Sequence, residues 1–190
     1  METYQNILVA VDPTTDEQKA LKRAIDLATS INVSGGNVRV NAFLSIFDFS
    51  YEMTTILSSD ERDVMRESVI KDKTLWLDNV IKQLNPTTEI TSQVVWHNRP
   101  FEAIIERVIE DNYDLVIKGT HQHDKFKSVV FTPTDWHILR KCPCPVLLVK
   151  DHEWPQNGNI LAAVNVGSDE AEHHSLNEII TQEAKQLGQL

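Results

Sequence analysis

Residues that mark secreted, membrane-spanning or nucleic-acid-binding proteins are scarce in this chain. Its 190 residues include two cysteines, and its 18 Lys and Arg residues are outnumbered by 28 Asp and Glu, for a net charge of −10. Because nucleic-acid binding needs clustered positive charge to neutralise phosphate, this balance argues against a nucleic-acid partner. No apolar run reaches the ~18 residues of a membrane span, and the N-terminus METYQNILVAVD lacks a basic and then apolar signal. These absences predict a cytoplasmic protein.

The two cysteines and the missing catalytic patterns narrow the functions further. Both cysteines lie in Cys142-Pro143-Cys144, too close for an easy unstrained bridge, as expected in a reducing compartment. Such a pair can do redox chemistry, but this one leads into an apolar strand, where free cysteine packs as a small hydrophobe. We favour packing and keep the redox role as an alternative. No Ser-His-Asp or paired-carboxylate arrangement stands out, so the sequence predicts no catalytic mechanism.

What the chain does contain is a regular alternation of two apolar patterns. Continuous apolar runs, typical of central parallel strands, alternate with segments whose apolar residues recur at helical spacing. Alternation of this kind predicts an α/β protein with an open five-stranded parallel sheet and helices on both faces, in one domain over residues 1–150. The predicted strands are Ile7–Val11, Val38–Ile46, Ile90–Trp96, Leu115–Gly119 and Val146–Val149.

Four helices are expected to connect these strands. We predict caps for the first helix within Thr14–Asp16, a start of the second near Asp60, and a long loop over Phe47–Ser59. The buried side of the second helix is predicted to carry Val64, Met65, Val69, Leu75, Trp76, Leu77, Val80 and Ile81. Three tryptophans are interpreted as core and interface residues rather than as a stacking platform: Trp96, Trp136 and Trp154.

The fourth helix begins within Thr132-Pro133-Thr134-Asp135, where the parts of a helix start stand in the right places. Thr132 can cap with its hydroxyl, Pro133 suits the first helical position, and Asp135 lies three residues after the cap. The loop after the fourth strand faces this helix N-terminus, which is where a parallel α/β sheet usually holds a ligand. Lys118, at the mouth of that loop, is either a phosphate contact or simply solvated.

Beyond Lys150 the composition changes. Residues 151–158 are predicted to be a linker, with proline and glycine breaks. The run Asn159–Asn165 (NILAAVN) then matches Asn6–Asp12 (NILVAVD) almost position for position, and apolar residues at helical spacing follow. A repeat at domain length favours a second copy of the same fold over a chance match of two apolar strands. We therefore predict that residues 159–190 begin a second, incomplete domain, with the chain ending inside its first helix.

Three segments together resemble the universal stress protein family: NILVAVDPT, WHNRPFEAIIERVIEDNYDLVIKGTH and CPCPVLLVK. Within that family the chain is most similar to the tandem, two-domain members of the E type. The resemblance covers residues 4–150 as a full domain and 159–190 as the start of another. It implies a five-stranded parallel sheet and pairing of domains through the last strand, Pro145–Lys150, either as a homodimer or as a pseudo-dimer within one chain.

The resemblance also implies where a nucleotide would bind. Nucleotide-binding members carry G-x-x-G, nine further residues and then G-[S/T] after the fourth strand, because glycine lets backbone N–H groups approach phosphate closely. Here Gly119 is kept, the second glycine is replaced by Gln122, and the last pair is Thr132-Pro133. The proline removes one backbone donor, and the larger side chains take up room that a phosphate chain needs. Asp135 adds negative charge that competes with phosphate for the same helix terminus.

We therefore expect a degenerate nucleotide site in this domain, without tight ATP binding. Asp12 matches the acidic residue that contacts the base in ATP-binding members, although a residue between a strand and Pro13 is equally well explained as a turn former. The identity of any cofactor stays open. The candidate site residues are Asp12, Gly119, His121, Thr132 and Thr134.

The leading prediction is a cytoplasmic stress-response protein that acts by binding or association rather than by turnover. One alternative is an ATP-binding switch or weak ATPase. Another is a carrier of a metal or an apolar ligand. His121 and His123 are the metal candidates, although a zinc site needs one or two further ligands. The aromatic loop Phe47-Asp48-Phe49-Ser50-Tyr51 suggests the apolar ligand.

Overall fold

The computed structural model describes residues 4–50, 58–122, 129–150, 158–167 and 170–188. Five strands form one parallel sheet, which confirms the predicted α/β architecture. In chain order the strands of the structure are β1 (Asn6–Ala10), β2 (Arg39–Ile46), β3 (Ile90–Trp96), β4 (Leu115–Gly119), β5 (His121–Gln122), β6 (Val129–Val130) and β7 (Val146–Val149). The parallel sheet has the order β3-β2-β1-β4-β7, and β5 pairs antiparallel with β6 in a separate two-stranded ladder.

The strand β1 is central because its side chains are apolar on both faces. Ile7, Leu8 and Val9 are fully buried, and β1 pairs in parallel with β2 on one side and β4 on the other. A strand covered on both faces reads as a continuous apolar run rather than an alternating one. The edge strand β3 is only partly buried along its length. The sheet is therefore driest at its centre and more open at the β3 edge.

Helices cover the sheet as the alternation predicts. In chain order they are α1 (Lys19–Val33), α2 (Ser59–Gln83), α3 (Pro100–Asp111), α4 (Pro133–Lys141) and α5 (Ala171–Leu187). One face of β1, represented by Leu8, packs against Ile104 of α3 and Ile138 of α4 in a common apolar cluster. Because side chains alternate along a strand, Ile7 and Val9 point to the opposite face, where α1 packs against the sheet.

The start of α1 differs from the prediction of a cap within Thr14–Asp16. The helix begins at Lys19, its N-cap is Gln18, and the side chain of Gln18 makes no capping bond. That side chain is instead buried in the preceding loop, where Nε2 donates to the carbonyl oxygens of Asp12 at 2.6 Å and Thr15 at 2.5 Å. The loop therefore folds around the side chain of Gln18, and α1 begins later in the sequence than predicted.

The prediction for the buried side of α2 is wrong for its N-terminal half and for Leu75. Leu77, Val80 and Ile81 are buried as expected, whereas Val64 is 66% exposed and Leu75 is 55% exposed. Leu75 is exposed because it lies on the opposite side of the helix from Leu77. Length explains the exposure of Val64. A helix of 25 residues extends roughly 37 Å, and the 7 residues of the β3 strand extend only about 23 Å. Only the C-terminal part of α2 lies over the sheet.

The predicted loop and tryptophans have mixed outcomes. Most of the loop predicted over Phe47–Ser59 lies outside the described residues; residues 49–50 are helical, and Ser58 caps α2 in a capping box with Glu61. Trp96 is half-buried against Phe47, with ring centroids 5.7 Å apart. Trp136 is 49% exposed, so it is not a core residue, and Trp154 lies outside the described residues.

The chain divides into two compact units, one over Glu2–Asp151 and the other over His152–Leu190. In the second unit, described residues 158–167 form no strand, and Leu161 is 93% exposed. The helix α5 follows, as the repeat predicts. None of the helices in the described ranges is long and apolar enough to cross a membrane.

The two matched runs end in the same local turn. The Oδ1 atom of Asp12 accepts the N–H of Thr14 at 2.9 Å, and the Oδ1 atom of Asn165 accepts the N–H of Gly167 at 3.1 Å. The backbone N–H of Asp12 also donates to the amide oxygen of Gln18, and that of Asn165 donates to the amide oxygen of Asn177. The repeat in sequence is therefore also a repeat of the side-chain-to-backbone hydrogen bonding at this position.

Candidate functional site

The candidate site lies at the carboxyl ends of β1 and β4, next to the N-terminus of α4. The two strands are neighbours, and Ala10 pairs with Lys118 in their register. The chain therefore brings the Asp12 turn, the Lys118-Gly119 end of β4 and the start of α4 to one edge of the sheet. In open parallel sheets this edge is where ligands bind.

The start of α4 is the capping box that the sequence predicts. The hydroxyl of Thr132 accepts the backbone N–H of Asp135 at 3.2 Å. In return, Oδ2 of Asp135 accepts the backbone N–H of Thr132 at 2.7 Å and the Thr132 hydroxyl at 2.9 Å. Pro133 occupies the first turn, and Thr134 is half-buried beside it. The predicted helix start is confirmed, and the Asp135 carboxylate is fixed by the backbone N–H and the hydroxyl of Thr132.

Lys118 is largely buried and paired within the chain rather than solvated. Its ammonium lies 2.7 Å from Oδ1 of Asp135, and the exposed fractions of the two side chains are 14% and 0%. The ammonium also donates to the carbonyl oxygen of Gly119 at 3.2 Å. Sequence reasoning placed Lys118 and Asp135 in the same region but missed their pairing. The only signal for it was a lysine at the strand end facing an acidic residue in the helix start.

The pairing changes the electrostatics of the site. A helix N-terminus and a lysine ammonium are both features that bind anions. Here Asp135, which belongs to the chain itself, already occupies both of them. A buried charge pair of this kind holds because each partner compensates the other, and removal of one partner leaves an isolated buried charge. The site therefore contains a built-in anion.

Asp12 lies where the sequence placed it and forms a turn. Its Oδ1 atom accepts the N–H and the hydroxyl of Thr14, at 2.9 Å and 2.6 Å. These bonds match the turn-forming interpretation. A contact of Asp12 with a base remains a prediction.

The described residues leave space beside Gly119. A Cβ atom built on Gly119 would meet no heavy atom within 4 Å, and the residue does not have a positive φ. Neither packing against the described residues nor backbone strain therefore requires glycine here. The proposed role of Gly119 in a cradle is compatible with this space.

The metal candidates fall outside what the structure describes. Position 123 and the side chain of His121 are not among the described residues, although the backbone of His121 forms β5. Within the described ranges, no three His, Cys, Asp or Glu side chains are grouped closely enough to hold a metal ion. The metal site at His121 and His123 remains a prediction.

The two cysteines pack as the sequence favours. Both side chains are half-buried and contact the apolar cluster around Leu8 and Ile138. They are free thiols whose Sγ atoms lie 3.6 Å apart. A hydrogen bond from Cys144 lowers the pKa of Cys142 to about 7, while the same bond and burial raise the pKa of Cys144. The two thiols can therefore react as well as pack.

Sequence reasoning missed a polar cavity at the other end of the sheet. This cavity of about 860 Å³ lies near the amino ends of β2 and β3, and its lining includes Asn41, Gln93 and Tyr113. Asn41 is 8% exposed, and its Oδ1 atom has no donor among the described residues. The signal was visible as a polar residue inside the apolar run of β2. The cavity is polar, so it does not suit the apolar ligand of the carrier alternative.

The fold and the site together define a parallel α/β protein whose candidate site lies at the carboxyl edge of its sheet. The sequence profile of the universal stress protein family matches residues 3–150. The chain belongs to the universal stress protein family. The predicted resemblance is therefore confirmed.

Curated relatives extend the likeness over the whole chain. Universal stress protein E of Escherichia coli strain K12 is 53% identical over 190 residues, which cover 100% of this chain and 58% of that protein. The homologue of universal stress protein E from Haemophilus influenzae is 41% identical and covers 92% of this chain. The chain thus spans somewhat more than half the length of the curated relatives it matches. The likeness to the E type is confirmed.

Solved structures show the same fold. A universal stress protein from Pseudomonas aeruginosa UCBPP-PA14 superposes with a TM-score of 0.65 at 25% identity, over 98% of this chain and 58% of that one. A universal stress protein solved in complex with cAMP has a TM-score of 0.53 at 17% identity, over 80% of this chain and 100% of that one. The second likeness concerns the fold alone.

Proposed function

We propose that this chain serves a stress response in the cytoplasm by binding or association rather than by turnover, and that the nucleotide pocket of its first domain is degenerate. Membership of the universal stress protein family supports the general role. The degenerate pocket is supported by one observation. Lys118 and Asp135 form a buried pair at the helix start where a phosphate would bind.

The argument is one of charge and donors. The carboxylate of Asp135 accepts the backbone N–H of Thr132, the N-cap residue, and pairs with the nearest ammonium, so an incoming phosphate finds fewer groups to bind. The phosphate would also lie near a like charge. Two unit charges about 4 Å apart interact by about 4 kcal/mol at an effective dielectric of roughly 20. The ammonium of Lys118 attracts the phosphate in turn and offsets much of that repulsion, so the main loss is that of donors already occupied.

An ATP-binding switch or weak ATPase remains the second candidate, because no described atom lies within 4 Å of a Cβ built on Gly119. A protein of the same fold has been solved in complex with cAMP, so a nucleotide-type ligand is compatible with this fold. On this alternative, Asp12, Gly119 and the Thr132 turn would contact the nucleotide. Gly119→Ala provides a clean variant, because the added Cβ meets no described atom within 4 Å.

Native mass spectrometry of freshly purified protein separates these functions. The proposed function predicts the mass of the chain without a nucleotide. The alternative predicts an added nucleotide mass that Gly119→Ala removes while the circular dichroism spectrum stays unchanged. An added metal mass, lost in a His121→Ala/His123→Ala variant, would instead support the metal carrier. Nucleotide retained by the wild-type chain at full occupancy would overturn the proposed function.

We further propose that residues 159–190 begin a second domain and that domains pair through β7. The shared turns at Asp12 and Asn165 support the first part. The second part is supported by the position of β7 at the edge of the sheet, next to β4 alone. An edge strand offers unpaired backbone groups to a further strand.

A further inference from the structure

We propose that Cys142 and Cys144 form a reversible redox switch in which a hydroperoxide oxidises Cys142 and Cys144 closes an intramolecular disulfide. The Cys142-Pro143-Cys144 segment connects the end of α4 to the start of β7. This inference does not depend on the nucleotide site proposed above, because it rests on a different part of the molecule; it shares only the proposed reducing compartment.

The fold holds the two thiols side by side. Cys142 is the C-cap residue of α4, and its N–H donates to the carbonyl oxygen of Ile138 at 2.9 Å. The chain then bends at Pro143 and Cys144 before β7 begins at Val146. As a result the two Sγ atoms lie 3.6 Å apart. Helix and strand anchor the segment from both ends, so the approach of the thiols is built into the fold.

Exposure and context suit a reactive pair. Both thiols are only half-buried, and both flanking positions, Pro143 and Pro145, are exposed. A small oxidant can therefore reach them. In a reducing compartment such a pair is kept as dithiol, and disulfides that do form there are usually transient or redox-sensing.

The chemistry divides into two balanced steps. The thiolate of Cys142 attacks the terminal oxygen of a hydroperoxide; the S–O bond forms, the O–O bond breaks, and the leaving alkoxide or hydroxide takes a proton. Cys142 is now a sulfenic acid. The sulfur of Cys144 then attacks the sulfur of Cys142, the S–S bond forms, and the S–O oxygen leaves as water with the proton of Cys144. Sulfur loses two electrons in total, and the peroxide gains them.

The assignment of roles follows from the environment of each thiol. The hydrogen bond from Cys144 lowers the pKa of Cys142 to about 7, so Cys142 is partly thiolate at neutral pH and is the attacking group. That bond, burial and the charges of the Cys142 thiolate and Asp114 raise the pKa of Cys144, which keeps its proton. Oxidation of Cys142 removes both its thiolate charge and its acceptor role. Cys144 then loses its proton more easily, at the step where it must attack.

The short spacing makes the switch reversible. A bridge between residues two apart in sequence is strained, and strained disulfides are reduced more readily than structural ones. Two equivalents of a small cellular thiol of the glutathione type restore the dithiol and form the thiol's own disulfide. The spacing of two residues, which argues against a stable disulfide, therefore favours a transient one.

Disulfide mapping after peroxide treatment tests the proposal on the full chain. The reduced protein is exposed to hydrogen peroxide, quenched with catalase, blocked with N-ethylmaleimide and digested with trypsin. Both cysteines fall in one peptide, Cys142–Lys150, because tryptic cleavage follows Lys141 and Lys150. We expect this peptide to lose two hydrogens and to bind no N-ethylmaleimide, and glutathione should restore two reactive thiols. Sulfinic or sulfonic acid at Cys142, or a bridge between two chains instead, would overturn the proposal.

Single variants test the assigned roles. In Cys144→Ser, Cys142 should stop at the sulfenic acid and be trapped by dimedone; in Cys142→Ser, Cys144 should react no faster than in the urea-unfolded chain. For the wild-type chain, the rate of Cys142 oxidation at pH 7 should exceed that of the unfolded chain about threefold, after the lower nucleophilicity of a low-pKa thiolate is included. Equal rates for folded and unfolded wild type would contradict the role of the fold.

Discussion

Asp135 is the residue on which the candidate site depends. Its side chain has no exposed surface, it accepts two hydrogen bonds from Thr132, and it faces the ammonium of Lys118 at 2.7 Å. Oδ1 meets the ammonium as an ion pair rather than through an aligned hydrogen bond. Removal of the carboxylate would leave Lys118 charged and nearly buried.

We predict that Asp135→Ala lowers the free energy of unfolding by about 3–5 kcal/mol, because it breaks a buried pair from one side. Glu102→Ala is the matched control. Glu102 also pairs with a cation at 2.8 Å, but the exposed fractions of Arg99 and Glu102 are 63% and 34%. Such an exposed pair contributes about 0–1 kcal/mol. Urea unfolding measures both; a cost below about 1 kcal/mol for Asp135→Ala would show that the pair is not structural.

Local residue roles were predictable from the sequence, and distant pairings were not. Thr132, Pro133 and Asp135 form a cap because all the donors and acceptors lie within one turn of chain. The partner of Asp135 is a lysine on another element, and no local pattern specifies it. Asp12 shows the same limit, since its turn with Thr14 is local while any contact with a ligand depends on the whole pocket.

At the scale of elements, α2 shows how far hydrophobic spacing can be taken. Its apolar residues recur at helical intervals, and the helix exists as predicted. Spacing does not report how much sheet lies below the helix. The strand β3 is shorter than the helix, so Val64 stays exposed, and Leu75 is exposed because it lies on the opposite side of the helix from the fully buried Leu77.

Two leucines of α2 therefore provide a matched comparison. We predict that Leu77→Ala costs about 2–5 kcal/mol of unfolding free energy, because it leaves a cavity in the core. Leu75→Ala removes the same atoms from the same helix at a position that is 55% exposed, and should change stability by no more than about 0.5 kcal/mol. Thermal and urea unfolding of both variants measure the contrast. Similar costs for the two would mean that the side chain of Leu75 is packed in solution.

The backbone groups of the edge strand β7 point alternately toward β4 and toward the open edge of the sheet. The carbonyl oxygens of Pro145 and Val149 accept N–H groups of the neighbouring strand region at 3.0 Å and 2.8 Å. Because backbone groups alternate in direction along a strand, those of Val146 and Leu148 point to the open edge. Pairing of domains through β7 would use these groups.

We predict that the 190-residue chain forms a homodimer that Leu148→Pro converts to a monomer, because proline removes the outward N–H of Leu148 while the bonds to β4 remain. Leu148→Ala is the control, since it shortens the side chain and keeps the N–H. Light scattering on gel-filtered protein at matched concentrations measures the mass. A monomeric wild type, or a dimeric Leu148→Pro variant, would argue against pairing through this edge.

For the whole molecule, alternation of apolar patterns was enough to predict the five-stranded parallel sheet. The structure of the second unit was harder to predict from the sequence. Its α5 helix and the turn at Asn165 agree with a repeat of the first domain, yet residues 158–167 form no strand in the described structure. An apolar segment becomes a strand only when neighbouring strands of a sheet supply its hydrogen-bonded partners. Those partners are not specified by the segment's own sequence. The second domain accordingly stays a prediction.

The central claim is that the chain's own carboxylate fills the anion site at the start of α4. Calorimetric titration with ATP and magnesium tests it most directly, on the wild type and on a variant that combines Gln122→Gly, Thr132→Gly, Pro133→Ser and Asp135→Ala. We predict no low-micromolar binding by the wild type and at least about tenfold tighter binding by the folded variant, which is about 1.4 kcal/mol. A low-micromolar dissociation constant for the wild-type chain would contradict the claim.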